Sequence, residues 1–374
     1  MKISAVEAIP LRAELSAPFR FANIVRTHSA NVVVRVETDS GIVGWGEACP
    51  VPQLTAETQV SIVDVVDHRI APTLIGKDPL RRGPLADELM LTSHGISFTM
   101  AAVDTALLDI AGKAAGVPVS ELLGGRYIES VEVHGSVGWS EKPADQAETA
   151  AKQAELFHWL KLYAGTGTLA EDLERIEATR ERVGEQHPFL LDLNGLWSIT
   201  EVARAADRLR AAGVRVVEQP LPPRDHLGNA AACRILAQEH GIDVAADESI
   251  RSAADVVAVA RAGAATVINV GMAKLGGVSQ ALHAATVARS FGIGVMVGGV
   301  VELGLANAAG LHLAASLPQL VAPAYLMGPL KYQRQITSPV IHPEDSRLAV
   351  PAGAGLGVDV DVEAIAELDR RRSR

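Results

Sequence analysis

The sequence predicts an α/β protein, a β/α barrel preceded by a smaller α+β domain, and three observations carry that expectation. From residue 131 onward, short apolar runs at 131–137, 159–163, 189–193, 215–218, 243–246, 266–270 and 294–297 alternate with amphipathic stretches. Such runs read as buried parallel strands, and a strand–loop–helix repeat implies right-handed crossovers onto one sheet. The series is unbroken over six or seven units, which favours closure into a barrel over an open sheet. Finally, Asp192 in FLLDLNGLW, Glu218 in VRVVEQP and Asp247 in DVAADES each end an apolar run. The C-terminal ends of barrel strands all open onto one face, so these three carboxylates are expected to meet there.

The elements follow in order. Residues 31–47 read as strand, turn, strand around Asp39-Ser40-Gly41, where Gly41 supplies the positive φ of the turn. Helical patterns cover 56–70, 83–91 and 98–115, the last stopping near Gly116 and Pro118. Together they form an α+β capping unit over residues 1–125, closed by LLGGRY. The barrel occupies 126–320, with amphipathic helices at 169–183 and 200–212 between its strands. The Pro- and Gly-rich segment 321–374 is expected to pack back on the first domain, and its basic tail RRRSR reads as a loose terminus.

Composition narrows the class of partner. The chain has 374 residues, 48% of them hydrophobic and 21% charged, as in a globular enzyme rather than a disordered chain. A net charge of -10 disfavours nucleic acid or an anionic membrane as partner, whereas a small anion is admissible beside a bound cation. Cys49 and Cys233 lie far apart without metal-ligand spacing, as expected of buried free thiols in a reducing compartment. The opening MKISAVEAIPLRAEL carries Glu7 and Glu14 and no long apolar core, so it does not read as a signal peptide and the expected location is cytoplasmic. The apolar stretch 292–317 contains Glu302, Asn307 and His312, which favours a buried strand and core helix over a bilayer span.

Three hard oxygen donors on one rim suit a hard divalent cation such as Mg2+, with Asn194 and Trp197 expected on the same rim. The segments LDLNGLW, VVEQP, AADES, KLGG, GGVVE and PGAGLGVDVD, with GIVGWGEACP and AAVDTALLDIAGKAAGVPVSELLGG earlier, resemble the enolase superfamily in its muconate-lactonizing-enzyme-like subgroup. The resemblance spans nearly the whole chain. It implies a modified TIM (β/α) barrel with an N-terminal α+β capping domain, and Asp192, Glu218 and Asp247 as Mg2+ ligands. It also implies a small carboxylate substrate that passes through a metal-stabilised enolate, and a homo-oligomer. Neutralising the enolate oxygen is what makes an α-proton accessible to a side-chain base. Phe19, Phe21, Arg26 and residues 50–54 fall where the specificity loops of that family close over the substrate.

The chain departs from the family pattern at the bases. A Lys-x-Lys pair on the second barrel strand becomes Lys161-Leu162-Tyr163, and Lys161 and Tyr163 share a face by the period of two. The sixth-strand lysine position holds Gly271, while Lys274 matches a second, non-catalytic basic position. Gly271 reads either as a close backbone approach or as space for a bulkier substrate. Three readings stand open: Tyr163 as acid/base with a pKa lowered by Lys161 and the cation, Tyr163 as a packing or hydrogen-bonding residue, or Lys274 reaching the site. Lys161 reads as positive charge near the substrate carboxylate or as an ion pair, and Glu302 as a hydrogen-bonding group at the enolate or an acid at a helix N-terminus. A racemase or epimerase using two lysines is excluded. A muconate-cycloisomerase-like isomerase leads, with a β-elimination lyase (dehydratase) and a non-catalytic metal- or ligand-binding scaffold as alternatives.

Overall fold

In this computed structural model, which describes residues 1–21, 24–92 and 94–370, the strands of the first 48 residues, in which Val and Ile recur, build two antiparallel layers. Strands β1 (Ile3–Pro10), β4 (Val32–Thr38) and β5 (Val43–Ala48) pair in the order β1-β4-β5, while β2 (Ala13–Phe21) and β3 (Ile24–Ser29) form a separate hairpin. Gly41 turns β4 into β5 with φ +82°. The helix Ser97–Ala115 packs against β5 so closely that a Cβ on Gly46 would stand 1.8 Å from the Ala102 carbonyl oxygen. The expected helix 56–70 starts later, at Gln59, behind the capping side chain of Thr58, and its last turn over Val66–Ile70 widens to a π-helix.

The barrel strands follow: β6 (Ser130–Glu132), β7 (Gly135–Val137), β8 (Leu160–Tyr163), β9 (Phe189–Asp192), β10 (Val214–Glu218), β11 (Asp243–Ala246), β12 (Val267–Asn269) and β13 (Gly294–Met296). Strands β7 to β13 form one parallel sheet in sequence order. The single strand expected at 131–137 is divided: Ser130–Glu132 pairs antiparallel with Arg347–Ala349, and only Gly135–Val137 joins the barrel. An irregular segment closes the ring, where Val321 and Tyr325 N–H donate to Val295 and Val297 carbonyls and Ala324 N–H donates to Glu132. The fold is thus a modified TIM barrel with an N-terminal cap.

Period-two alternation decides what fills the barrel. Leu190, Val216, Ala245, Val267, Met296 and Ala322 form a small apolar core inside the ring. Two residues further along β8, β9 and β10, towards their C-terminal ends, the inner positions pass to Lys161, Asp192 and Glu218. The outward-facing residues join the large core under the helices. Helix Gly304–Ala315 is buried over its whole length, and Cys49 and Cys233 are both buried free thiols. Among the described residues no helix is long and apolar enough to cross a membrane. Residues 371–374 of the basic tail lie outside the described residues.

Candidate functional site

A cavity of about 420 Å³ opens at the C-terminal ends of the strands, between barrel and cap. Its lining includes Asp192, Asp247, Glu248, Lys161, Tyr163, Lys274 and Glu302, so all but one of the expected metal ligands and acid/base candidates reach it. The remaining one, Glu218, lies beneath the floor, fully buried.

Lys161 sits at the centre of the floor. Its ammonium is 2.7 Å from Asp192 Oδ2 and 2.6 Å from Glu218 Oε2, with all three side chains almost wholly buried. Burial alone would depress the Lys161 pKa, but the Asp192 and Glu218 carboxylates outweigh it and hold the amine well above the usual lysine range. Asn269, on the inner face of β12, donates to the other Glu218 oxygen at 2.7 Å. The third acid, Asp247, is 2.5 Å from the Lys274 ammonium. Lys274 therefore reaches the site, although from the short helix Met272–Leu275 that follows β12 rather than from the strand.

These pairings leave negative charge in excess. Four carboxylates (Asp192, Glu218, Asp247 and Glu248) face two ammonium groups on the floor. Burial, with the neighbouring Asp192 and Asp247 charges adding to it, pushes Glu218 up to about 7. Burial followed by Asp247 and Asp192 pushes Glu248 up to about 8, and burial raises Asp192. Three acceptor oxygens around the floor are buried without a hydrogen-bond partner: Asn194 Oδ1, Glu248 Oε2 and Asn269 Oδ1. Surplus negative charge beside unsatisfied acceptors fits a hard cation. Among the described residues no three acids close on a single point, because the Lys161 ammonium lies between Asp192 and Glu218 and Lys274 engages Asp247.

Tyr163 and Lys161 share the inner face of β8, with the ammonium 5.3 Å from the phenol ring centre and 5.9 Å from that of Tyr325. The Lys161 part of the lowering expected at Tyr163 is outweighed. Burial raises the phenol well above its usual range and overcomes the opposing pull of Lys161. The Phe19 ring meets Tyr163 edge-on at 5.9 Å, closing the cap over it. Glu302 lines the cavity and is raised by burial, but it does not cap the following helix. Glu47 of β5 does that, accepting from Leu303 N–H at 2.7 Å and Ala306 N–H at 3.1 Å. Within that loop Val301 has φ +69°, an uncommon state for a β-branched residue, and its carbonyl accepts from the Tyr332 hydroxyl at 2.5 Å.

Gly271 and Trp197 differ from expectation. Gly271 has φ -57°, and an added Cβ would make only ordinary contacts, 3.4 Å to Lys274 Cε and 3.7 Å to Gly298 O, so no backbone demand explains the glycine. Trp197 is not on the rim. Its indole N–H donates to Asp172 Oδ2 at 3.2 Å, and the same oxygen accepts from Gly165 N–H at 2.8 Å, which ties down the loop after β8.

With this geometry in view, the comparisons are decisive. Residues 5–124 match the mandelate racemase/muconate lactonizing enzyme N-terminal domain, and residues 143–365 the enolase C-terminal domain-like family. The chain belongs to the enolase superfamily, in its muconate-lactonizing-enzyme-like group. An N-succinyl-L-Arg/Lys racemase of Bacillus cereus is 32% identical over 90% of each chain. The muconate lactonizing enzyme of Pseudomonas fluorescens, solved with muconolactone, superposes with a TM-score of 0.93 at 29% identity over 99% of both chains. A dipeptide epimerase of Enterococcus faecalis, solved with Mg and a dipeptide, gives 0.90 at 28% identity over 96% of this chain and 100% of the other. Isomerisation of small carboxylates is the shared chemistry of these superfamily relatives.

Glu248, Asn269, Tyr325 and Glu47 were not found from sequence. Asn269 had a usable signal, since it precedes Gly271 by two on the same inner face. Glu248 follows the strand end and escapes any periodicity.

Proposed function

We propose that this chain is a Mg2+-dependent isomerase that acts on a small carboxylate through an enolate, with cycloisomerase-like, one-sided proton delivery. The observation that carries the reading is the surplus of buried and half-buried carboxylates over ammonium groups beside three unpartnered acceptors. Asp192, Glu218 and Asp247 would hold the metal. When bound, Mg2+ supplies a Lewis acid that offsets negative charge developing on the substrate carboxylate.

The remaining work falls to the chain itself. Lys161 holds Asp192 and Glu218 together and adds positive charge under the substrate. Asn269 fixes the second Glu218 oxygen. Tyr163, kept neutral by burial, serves as a proton donor to the enolate carbon on the β8 side. Glu302, whose raised pKa favours the protonated form, offers a hydrogen bond at the opposite edge. The cap residues over Tyr163 exclude water.

A second reading is favoured by one observation. The Lys274 side chain runs past Gly271, with Cε 3.4 Å from the missing Cβ, and so occupies the side of the cavity across from Tyr163. A Tyr163/Lys274 pair would allow proton exchange on both faces without a lysine on the sixth strand, as in a racemase.

Solvent deuterium incorporation into pooled acyl-amino-acid, dipeptide and diacid carboxylates, with Mg2+, separates the readings. Exchange abolished by Tyr163→Phe and kept by Lys274→Met supports the one-sided reading. Exchange with inversion that needs both residues supports the pair. Loss of a leaving group marks the β-elimination lyase. No turnover of any compound by Mg2+-loaded protein contradicts an enzymatic role and leaves the binding scaffold.

A further inference from the structure

Glu302 follows a residue held in an unfavourable backbone state. Val301, a buried β-branched residue, has φ +69°, in the left-handed region that such side chains avoid. The peptide groups around it are gripped from outside the loop. The Tyr332 hydroxyl donates to the Val301 carbonyl at 2.5 Å, Arg26 donates to the Val300 carbonyl at 3.0 Å, and Glu47 accepts from Leu303 N–H at 2.7 Å. Tyr332 is itself fixed, since its backbone bridges to Leu15 of β2 and its ring lies in the core. A residue kept in so strained a state by its surroundings points to a shape that the site requires.

That shape serves the Glu302 carboxylate, which lines the cavity. The side chain folds back over Gly299, where an added Cβ would stand 2.6 Å from Glu302 Oε2. The main chain of Glu302 is pressed against Gly328, where an added Cβ would collide with it. Burial raises the Glu302 pKa, and the N–H groups of Val300 and Glu302, on either side of Val301, oppose that rise by turning towards the carboxylate. A left-handed residue between two amides is what turns both towards one acceptor.

We propose that Tyr332 is a positioning residue: its hydroxyl holds Val301 left-handed and so keeps the Glu302 carboxylate in the cavity. The part given to Glu302 in the reaction rests on the enolate reading above. Without the hydroxyl, the Val301 carbonyl keeps the weaker Cys49 thiol donor at 3.4 Å. The strain then relaxes to negative φ, and Glu302 turns away from Gly299.

The test combines crystal structures and kinetics of the full chain. Tyr332→Phe, which keeps the ring in the core, is expected to show Val301 at negative φ and Glu302 displaced. Val301→Pro, which fixes φ near -65° with Tyr332 in place, should displace Glu302 in the same way. Adding Val301→Gly to Tyr332→Phe should bring Glu302 back, because glycine takes positive φ freely. In the deuterium-exchange assay with Mg2+, kcat of Tyr332→Phe should fall about a hundredfold, the usual loss for one donor at a developing oxyanion. KM and the calorimetric Mg2+ affinity should stay those of the parent, and Val301→Gly should restore most of kcat. An unmoved Val301 and Glu302 in Tyr332→Phe, or a loss that Val301→Gly does not restore, overturns the inference. Glu302 displaced as expected, in a chain whose parent exchanges no carboxylate, upholds the inference and overturns the enolate reading instead.

Discussion

The side chain of Lys274 lies across Gly271, its Cε 3.4 Å from where a Gly271 β-carbon would be, and its ammonium ends on Asp247 at 2.5 Å. Neither backbone conformation nor a close neighbour therefore requires a glycine there. Gly271→Ala is expected to change unfolding free energy by less than about 1 kcal/mol, because the native φ of -57° suits any residue. Gly46→Ala, forced to 1.8 Å from the Ala102 carbonyl, should cost about 3 kcal/mol or more. Denaturant unfolding of the two variants checks the contrast, and equal losses would contradict it.

Lys161 holds two carboxylates that otherwise repel. Lys161→Met should destabilise the metal-free protein by roughly 3–5 kcal/mol, the range for removing one partner of a buried pair. Saturating Mg2+ should recover most of that loss, since a cation placed at the same carboxylates replaces the missing charge. Thermal unfolding with and without Mg2+ reads both effects. A variant equally unstable in both conditions would count against a shared cation position.

Glu47 links the cap to helix Gly304–Ala315, and burial raises its pKa from 4.5 to about 7. A folded pKa above the unfolded one means that the folded state binds more protons between those values. Its contribution is therefore complete below about pH 4.5, falls as pH rises towards 7, and is flat above. Glu47→Gln removes that slope, so the variant should improve relative to the parent on going from pH 4.5 to pH 8, by on the order of 3 kcal/mol at most. Urea unfolding at the two pH values measures the difference, and an unchanged or opposite difference sinks the assignment.

The legible part of this site is the part governed by strand periodicity. Asp192 and Glu218 end strands whose inner face alternates regularly, and the same period placed Lys161 and Tyr163 side by side. Where the chain leaves a strand, that guide fails. Asn194 at φ +45° and Gly195 at φ +73° turn the backbone so that Trp197 ends on Asp172 instead of the rim. Strand β6 separated from β7 because its partner is Arg347–Ala349, a pairing across the chain that no local pattern announces. The burial of Tyr163 was not legible either, because it depends on how the cap closes with Phe19, and that enclosure outweighs the nearby ammonium.

The most direct measurement is a calorimetric Mg2+ titration of the parent, Glu218→Gln and Asp247→Asn, repeated in buffers of different ionisation enthalpy. With Glu218 at about 7 and Glu248 at about 8 before binding, the parent should bind one ion per chain, release protons, and bind more tightly at pH 8 than at pH 6. Both variants should lose that binding. An affinity unchanged by either substitution, or no binding by the parent at pH 8, would contradict a metal centre built from these carboxylates and with it the enolate chemistry proposed for the cavity.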